Sequence, residues 1–125
     1  MKPMKYHGQI LDTNILVRAL IDKNEELAKS LEGSSPVHIP LPIIFETIFV
    51  LEKVYKLNRN VIADYISTVL SYENVESENV IAGQIIDLYL KKKRLSVIDC
   101  YLLVYSKMYG LKLNSFDRTL IGVRK

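Results

Sequence analysis

Apolar and polar positions along the chain fall into short blocks that read alternately as strand and helix. Tyr6–Leu11 predicts a first strand ending at Asp12. Thr13–Ile21 then sets Ile15, Leu16, Ala19 and Leu20 on one side of a helix. Asn24–Leu31 predicts a second short helix, stopped by Gly33-Ser34-Ser35-Pro36, and Val37–Ile39 a short strand. Pro42 suits the first turn of a third helix, where its missing N–H would go unpaired anyway; that helix runs to about Lys56. Asn58 or Asn60 caps a fourth helix, through about Ser71. Asn74–Val75 predicts a brief third strand, and about Glu78–Lys92 a fifth helix. Ser96 opens a sixth, Val97–Tyr109, with Gly110 as its stop. Leu111–Asn114 predicts the last strand and Asp117–Val123 a final short helix. This alternation predicts an α/β domain with a short, mainly parallel sheet of about four or five strands flanked by helices. In such sheets ligands bind beyond the carboxyl ends of the strands.

The third helix is apolar nearly all round, from Ile43 and Ile44 to Leu51 and Val54. A surface helix shows one stripe, so this one is expected either to be fully buried or to meet a second subunit or partner.

Composition narrows the picture. The chain's 125 residues make one domain, 1–125. With 49% apolar and 25% charged residues it has enough apolar mass to fold, which excludes a disordered chain. One cysteine, Cys100, excludes an intrachain disulfide framework, and with only His7 and His38 beside it a closed zinc site is excluded too. A metal site here is therefore mostly oxygen, which points to Mg²⁺ or Mn²⁺. No apolar run approaches the ~20 residues of a membrane span. Asp12 interrupts the first apolar stretch, so no signal peptide is read and the expected address is the cytoplasm. The net charge of +3 is compatible with a nucleic-acid partner without arguing for one.

Most acids sit in polar company; Glu52, for example, has Lys53 and Lys56 close by and reads as solvated surface. Four stand apart. Asp12 ends the first strand, and it also suits a cap on the helix that follows. Asp99, three residues after Ser96, suits a capping box. Asp117 suits an Asx turn or cap after the last strand. Glu46 lies mid-helix with Pro42, Ile43, Phe49 and Val50 at helical spacing and no basic partner among them. An unpaired carboxylate on an apolar helix face costs on the order of several kcal/mol, so Glu46 is expected to have a distant cation, a raised pKa or a metal. Asp12 and Asp117 follow strands, and Glu46 and Asp99 lie near helix N-termini, so all four are expected at one edge of the sheet. Converging carboxylates repel unless a divalent cation neutralises them, and such a site polarises a phosphodiester and activates water for in-line attack.

The motifs around these acids resemble the PIN domain family, and within it the VapC-type toxin ribonucleases. Ile10-Leu11-Asp12-Thr13-Asn14 resembles the family's first strand and its Asp-Thr-Asn turn. Phe45-Glu46-Thr47, Val97-Ile98-Asp99-Cys100-Tyr101-Leu102 and Asn114-Ser115-Phe116-Asp117-Arg118 resemble its later acidic segments, in order and spacing. The resemblance implies a metal-dependent endoribonuclease that leaves 3′-hydroxyl and 5′-phosphate ends. It implies Asp12, Glu46, Asp99 and Asp117 as the catalytic, Mg²⁺- or Mn²⁺-binding acids, with Asn14 and Ser115 as polar supports. It also implies RNA as substrate, a homodimer, and a cognate antitoxin protein. Ser115 departs from the usual Thr but keeps the hydroxyl; Cys100 and Tyr101 stand where small residues are common.

Lys91, Lys92, Lys93 and Arg94 end the fifth helix. They suit either its dipole or RNA phosphates. Arg18 and Arg118 lie close in sequence to Asp12 and Asp117 and are further candidates for RNA contact. The helical tyrosines Tyr55, Tyr65, Tyr89, Tyr101, Tyr105 and Tyr109 are expected in packing rather than base stacking, and Cys100 in the core. Two other functions compete: a non-catalytic PIN-scaffold module that binds RNA or protein, and an aspartate-based phosphotransferase acting through Asp12. The dehalogenase version of the latter wants a second Asp where Asn14 stands.

Overall fold

The computed structural model describes residues 7–22, 29, 31–117 and 120. Three strands, β1 (Gln9–Ile10), β2 (Val37–His38) and β3 (Val75–Glu76), pair in parallel in that order. Gln9 stands beside Val37 and Val37 beside Val75; the next row is Ile10, His38 and Glu76. Bonds continue one residue further, from Leu11 N–H to His38 O at 3.1 Å and from Ile39 N–H to Glu76 O at 2.9 Å. Side chains alternate across a strand. Leu11, Val37, Ile39 and Val75 are buried, while Ile10, His38 and Glu76 stay exposed, Ile10 at 67%. His38 Nε2 lies 3.4 Å from Glu76 Oε2 on that open face.

The sheet therefore counts three strands among the described residues, close to the four or five expected, and its all-parallel sense is as expected. Leu111–Asn114 does not add the last strand. It contains no β-branched residue and leaves α5 through a tight local turn. The outer edge of β1 has no partner strand among the described residues.

The helices are α1 (Thr13–Ile21), α2 (Leu41–Lys53), α3 (Arg59–Leu70), α4 (Asn79–Lys91) and α5 (Val97–Met108). Local chemistry sets their ends. Asn58, not Asn60, caps α3, its side chain accepting from Val61 N–H at 3.0 Å. Ser96 and Asp99 form the expected capping box on α5. Gly110, at φ +61, ends α5: its N–H reaches Lys107 O, and Leu111 N–H reaches Ser106 O at 2.8 Å. That pair of bonds is the Schellman arrangement a left-handed glycine permits. Pro42 sits in the first turn of α2 as predicted, but the helix stops at Lys53 because Lys56 turns the backbone to φ +56. The predicted helices Asn24–Leu31 and Asp117–Val123 fall largely outside the described residues.

Helix α2 is the hub. It packs on α1, α3 and α5, while α4 bridges α3 and α5. Ile48, Leu51, Ile62, Ile66, Ile85 and Leu103 are all buried there, each worth about 1.5–3 kcal/mol relative to exposure. The apolar run of α2 resolves into a buried side and one exposed strip, Pro42, Glu46, Phe49 and Lys53. Cys100 and Tyr89 are core residues as expected, whereas Tyr105 on α5 and Tyr109 just past its end are exposed.

Candidate active site

The carboxyl end of β1 delivers Asp12. Its Oδ1 accepts the Ile15 N–H at 3.0 Å, so it caps α1 while remaining exposed to water. Asn14, two residues on, is exposed on α1 and lines an open cavity of about 560 Å³ with Arg18, Val50 and Tyr55. Glu46 lies one turn before Val50 on the same side of α2.

Glu46 is exposed, which corrects the reasoning from its apolar neighbours. Those neighbours are on the helix, but the carboxylate points out of the exposed strip, so water solvates it and no counter-charge is required. It has no hydrogen bond or ion pair among the described residues. The adjacent Phe45 ring stands 5.2 Å from Tyr101, which ties this part of α2 to the start of α5. There Asp99 is half-buried, with Oδ2 accepting the Ser96 N–H at 3.1 Å. Asp117 is exposed; Ser115 Oγ accepts its N–H at 3.0 Å, and its Oδ1 accepts the Leu120 N–H at 3.3 Å. Ser115 thus supports Asp117 through a hydroxyl turn. Arg118 lies outside the described residues.

Asp12, Glu46 and Asp99 are on elements in contact through α2. Among the described residues, however, no three Asp, Glu, His or Cys side chains stand close enough together to hold a metal ion. The donor chemistry still suits a hard divalent cation, because every candidate is an oxygen ligand reached by water. Mg²⁺ commonly binds through one or two carboxylates and keeps several waters, a demand this arrangement can meet without a closed cage. Two buried hydroxyls, Thr13 Oγ1 and Thr47 Oγ1, lack hydrogen-bond partners among the described residues, and each directly follows a candidate acid. Leaving a buried hydroxyl unpaired costs about 1–3 kcal/mol, so both mark places where local packing outranks hydrogen bonding.

The PIN domain family model matches residues 10–125, nearly the whole chain and all four acidic segments. The chain belongs to the PIN domain family. This PIN domain carries the fold of metal-dependent nucleases, with its sheet and flanking helices as that fold requires. No curated protein gives a significant match to it. Among its described residues no helix is long and apolar enough to cross a membrane.

The PIN domain also has a polar network that its sequence did not signal. Arg59, at the start of α3, lies with its guanidinium carbon 4.1 Å from the centroid of the Tyr89 ring. The Tyr89 hydroxyl donates to Glu52 Oε2 at 2.8 Å, so Glu52 is half-buried and engaged rather than solvated surface. Burial, then the hydrogen bond to Glu52, pushes the Tyr89 hydroxyl pKa well above its usual value. Burial pushes the Cys100 thiol up to about 11, with Arg59 opposing and Asp99 adding to the rise. A thiol so placed is not a nucleophile near neutrality. Lys91, Lys92, Lys93 and Arg94 are all exposed at the end of α4.

Proposed function

We propose that this PIN domain is a Mg²⁺- or Mn²⁺-dependent endoribonuclease that leaves 3′-hydroxyl and 5′-phosphate ends. The observation that carries the reading is the complete set of four acids in motif order, on a chain whose family match spans residues 10–125. Asp12, Glu46, Asp99 and Asp117 are the groups that would hold the cation, directly or through water. When bound, the cation supplies Lewis acidity and lowers the pKa of water at the site. The chain's own part is placement. Capping fixes one oxygen of Asp12 and one of Asp99, so each carboxylate meets the site in a set orientation. Asn14 orients polar groups beside Asp12, and Ser115 holds the turn of Asp117. Arg18 and the Lys91–Arg94 run contact phosphates and keep the strand in register.

We further propose that the protein is a VapC-type toxin, cytoplasmic and homodimeric, held inactive by an antitoxin. The exposed apolar positions Ile98, Leu102 and Tyr105 along α5, with Tyr109 just past its end, support a protein partner for that face. A second reading is a PIN scaffold that binds RNA without cutting it. It draws on the capping duties of Asp12 and Asp99 and on the lack of a three-carboxylate cluster among the described residues. Incubating purified protein with single-stranded RNA in Mg²⁺ and in EDTA separates the two. The nuclease reading expects cleavage in Mg²⁺ only, with 5′-phosphate ends; cleavage that persists in EDTA overturns it, and binding without cleavage supports the scaffold. Induced expression that arrests growth, relieved by Asp12→Asn, is the expected mark of a toxin.

A further inference from the structure

The cations at the end of a helix are usually occupied with its last carbonyls, which carry the negative end of the helix dipole. In this protein another residue takes that work. Arg59 donates to Tyr89 O at 2.8 Å in the last turn of α4, to Lys92 O at 3.4 Å just past it, and to Leu95 O in the following turn. The same guanidinium rests on the Tyr89 ring, and Glu52 holds that ring's hydroxyl. Arg59 is thus a braced fork reaching three carbonyls, one before the basic run, one within it and one just after it. The backbone between them is further closed by Lys92 N–H to Leu88 O at 2.8 Å and Leu95 N–H to Lys92 O at 3.0 Å.

Two consequences follow for the run itself. Its backbone is held, and its side chains are released: none of Lys91, Lys92, Lys93 or Arg94 makes a side-chain hydrogen bond or ion pair among the described residues. Four unpaired cations on a fixed turn form a site for a polyanion, because the entropy of ordering the backbone is already met before the ligand arrives. Leu95, one of the three carbonyls held, directly precedes the Ser96–Asp99 capping box, so the basic turn and a candidate acid keep a constant offset.

We propose that Arg59 is a positioning residue: it fixes the 92–95 turn so that the Lys91–Arg94 side chains meet successive phosphates of a single-stranded RNA. This rests on the reading of the chain as an RNA-binding PIN nuclease and adds to it a residue that touches no substrate. Arginine is required for the geometry. A lysine ammonium on a flexible stem does not present a planar fork to separated carbonyls or stack on the ring in the same way.

The test measures binding of a short labelled single-stranded oligoribonucleotide to the full chain in EDTA, across a salt series, so that cleavage does not enter. Replacing the four basic residues by Gln is expected to flatten the plot of log K against log salt by about 0.7 per lost phosphate contact. Arg59→Lys, which keeps the charge, is expected to flatten it by one or two such contacts in the parent and to change nothing in the neutralised background. That non-additivity is the signature of action through the run. A parental slope in Arg59→Lys, or an equal drop in both backgrounds, overturns the proposal. Circular dichroism checks the fold of each variant. If Arg59→Lys is unfolded at the assay temperature, Tyr89→Leu, which removes the ring beneath the guanidinium, is measured in its place with the same expectation. Binding that follows this pattern without cleavage in Mg²⁺ overturns the nuclease reading and leaves the role of Arg59 standing. A parent that binds no oligoribonucleotide overturns both.

Discussion

On the proposed function Asp12 has two duties, which two substitutions separate. As the cap of α1 it needs only an oxygen to accept the Ile15 N–H, and Asn supplies one as well as Asp does. As a cation ligand it needs the charge. Asp12→Ala loses both, and the lost cap costs about 1 kcal/mol, within a range of roughly 0.5–2. For a domain of this size that is about 3–5 °C in Tm. Asp12→Asn forgoes only the favourable charge at the helix N-terminus, about 0.3–1 kcal/mol, so it should melt above the alanine variant in EDTA. Mg²⁺ changes the comparison. A cation bound only by the folded chain stabilises it by about 2.7 kcal/mol at a hundredfold excess over Kd. The parent should show that shift; both variants should lose most of it together with RNA cleavage. Thermal melts in EDTA and in Mg²⁺, with cleavage followed in the same buffers, read all of this. An Asp12→Asn protein that melts as low as Asp12→Ala in EDTA refutes the capping argument. One that keeps the parental Mg²⁺ shift and cleavage rate refutes the chemical one.

Glu46→Gln should leave stability within about 0.5 kcal/mol of the parent, because the side chain is exposed and unpartnered among the described residues, while cleavage falls sharply; denaturant titration and an RNA assay check the two halves. Stability should fall in alkali: the unfolded chain releases the Cys100 proton near 9.0 and the folded chain near 11, so the contribution is whole below pH 9 and declines up to about pH 11 by on the order of a few kcal/mol. The raised Tyr89 hydroxyl adds to the same trend from about pH 10 upward, so Cys100→Ala should flatten the decline without abolishing it, and an unchanged profile would remove the thiol from the account. Gly8→Ala should destabilise by more than about 1 kcal/mol, since Gly8 has φ +124 and an added Cβ would lie 2.4 Å from Pro36 O, the acceptor that starts the β1–β2 ladder; urea unfolding measures it.

What could be read from the sequence was chemistry that acts within a few residues. The cap at Asp12, the Ser96–Asp99 box and the Gly110 stop each join groups at most five positions apart, so the pattern alone carries them. The parallel α/β class was legible for a similar reason, because strand and helix periods alternate along the chain. Glu46 was misjudged because helical spacing names neighbours on the helix and not the side that faces water. The Arg59–Tyr89–Glu52 network was invisible because its members come from three helices and meet only after α2, α3 and α4 have packed. Leu111–Asn114 has the apolar alternation of a strand, but a strand exists only when a partner accepts it. The four acids were legible as motifs; their separation depends on how α1, α2 and α5 lean on one another, which no local pattern encodes.

The two-residue strands bear on the order in which the molecule is made. Each strand contributes few bonds, yet Gln9 meets Val37 and Val37 meets Val75 only after long intervening segments have closed. The α4–α5 hairpin, joined by a short turn, closes a small loop for a large contact. We therefore expect the hairpin to form early and the sheet to be sealed late. Asp12 takes its place only when β1 docks, whereas Asp99 is set with the hairpin, so the candidate acids are brought together late. Under that order Val37→Ala chiefly speeds unfolding, whereas Leu103→Ala slows folding, a contrast that stopped-flow chevrons measure and that equal effects on both limbs would refute.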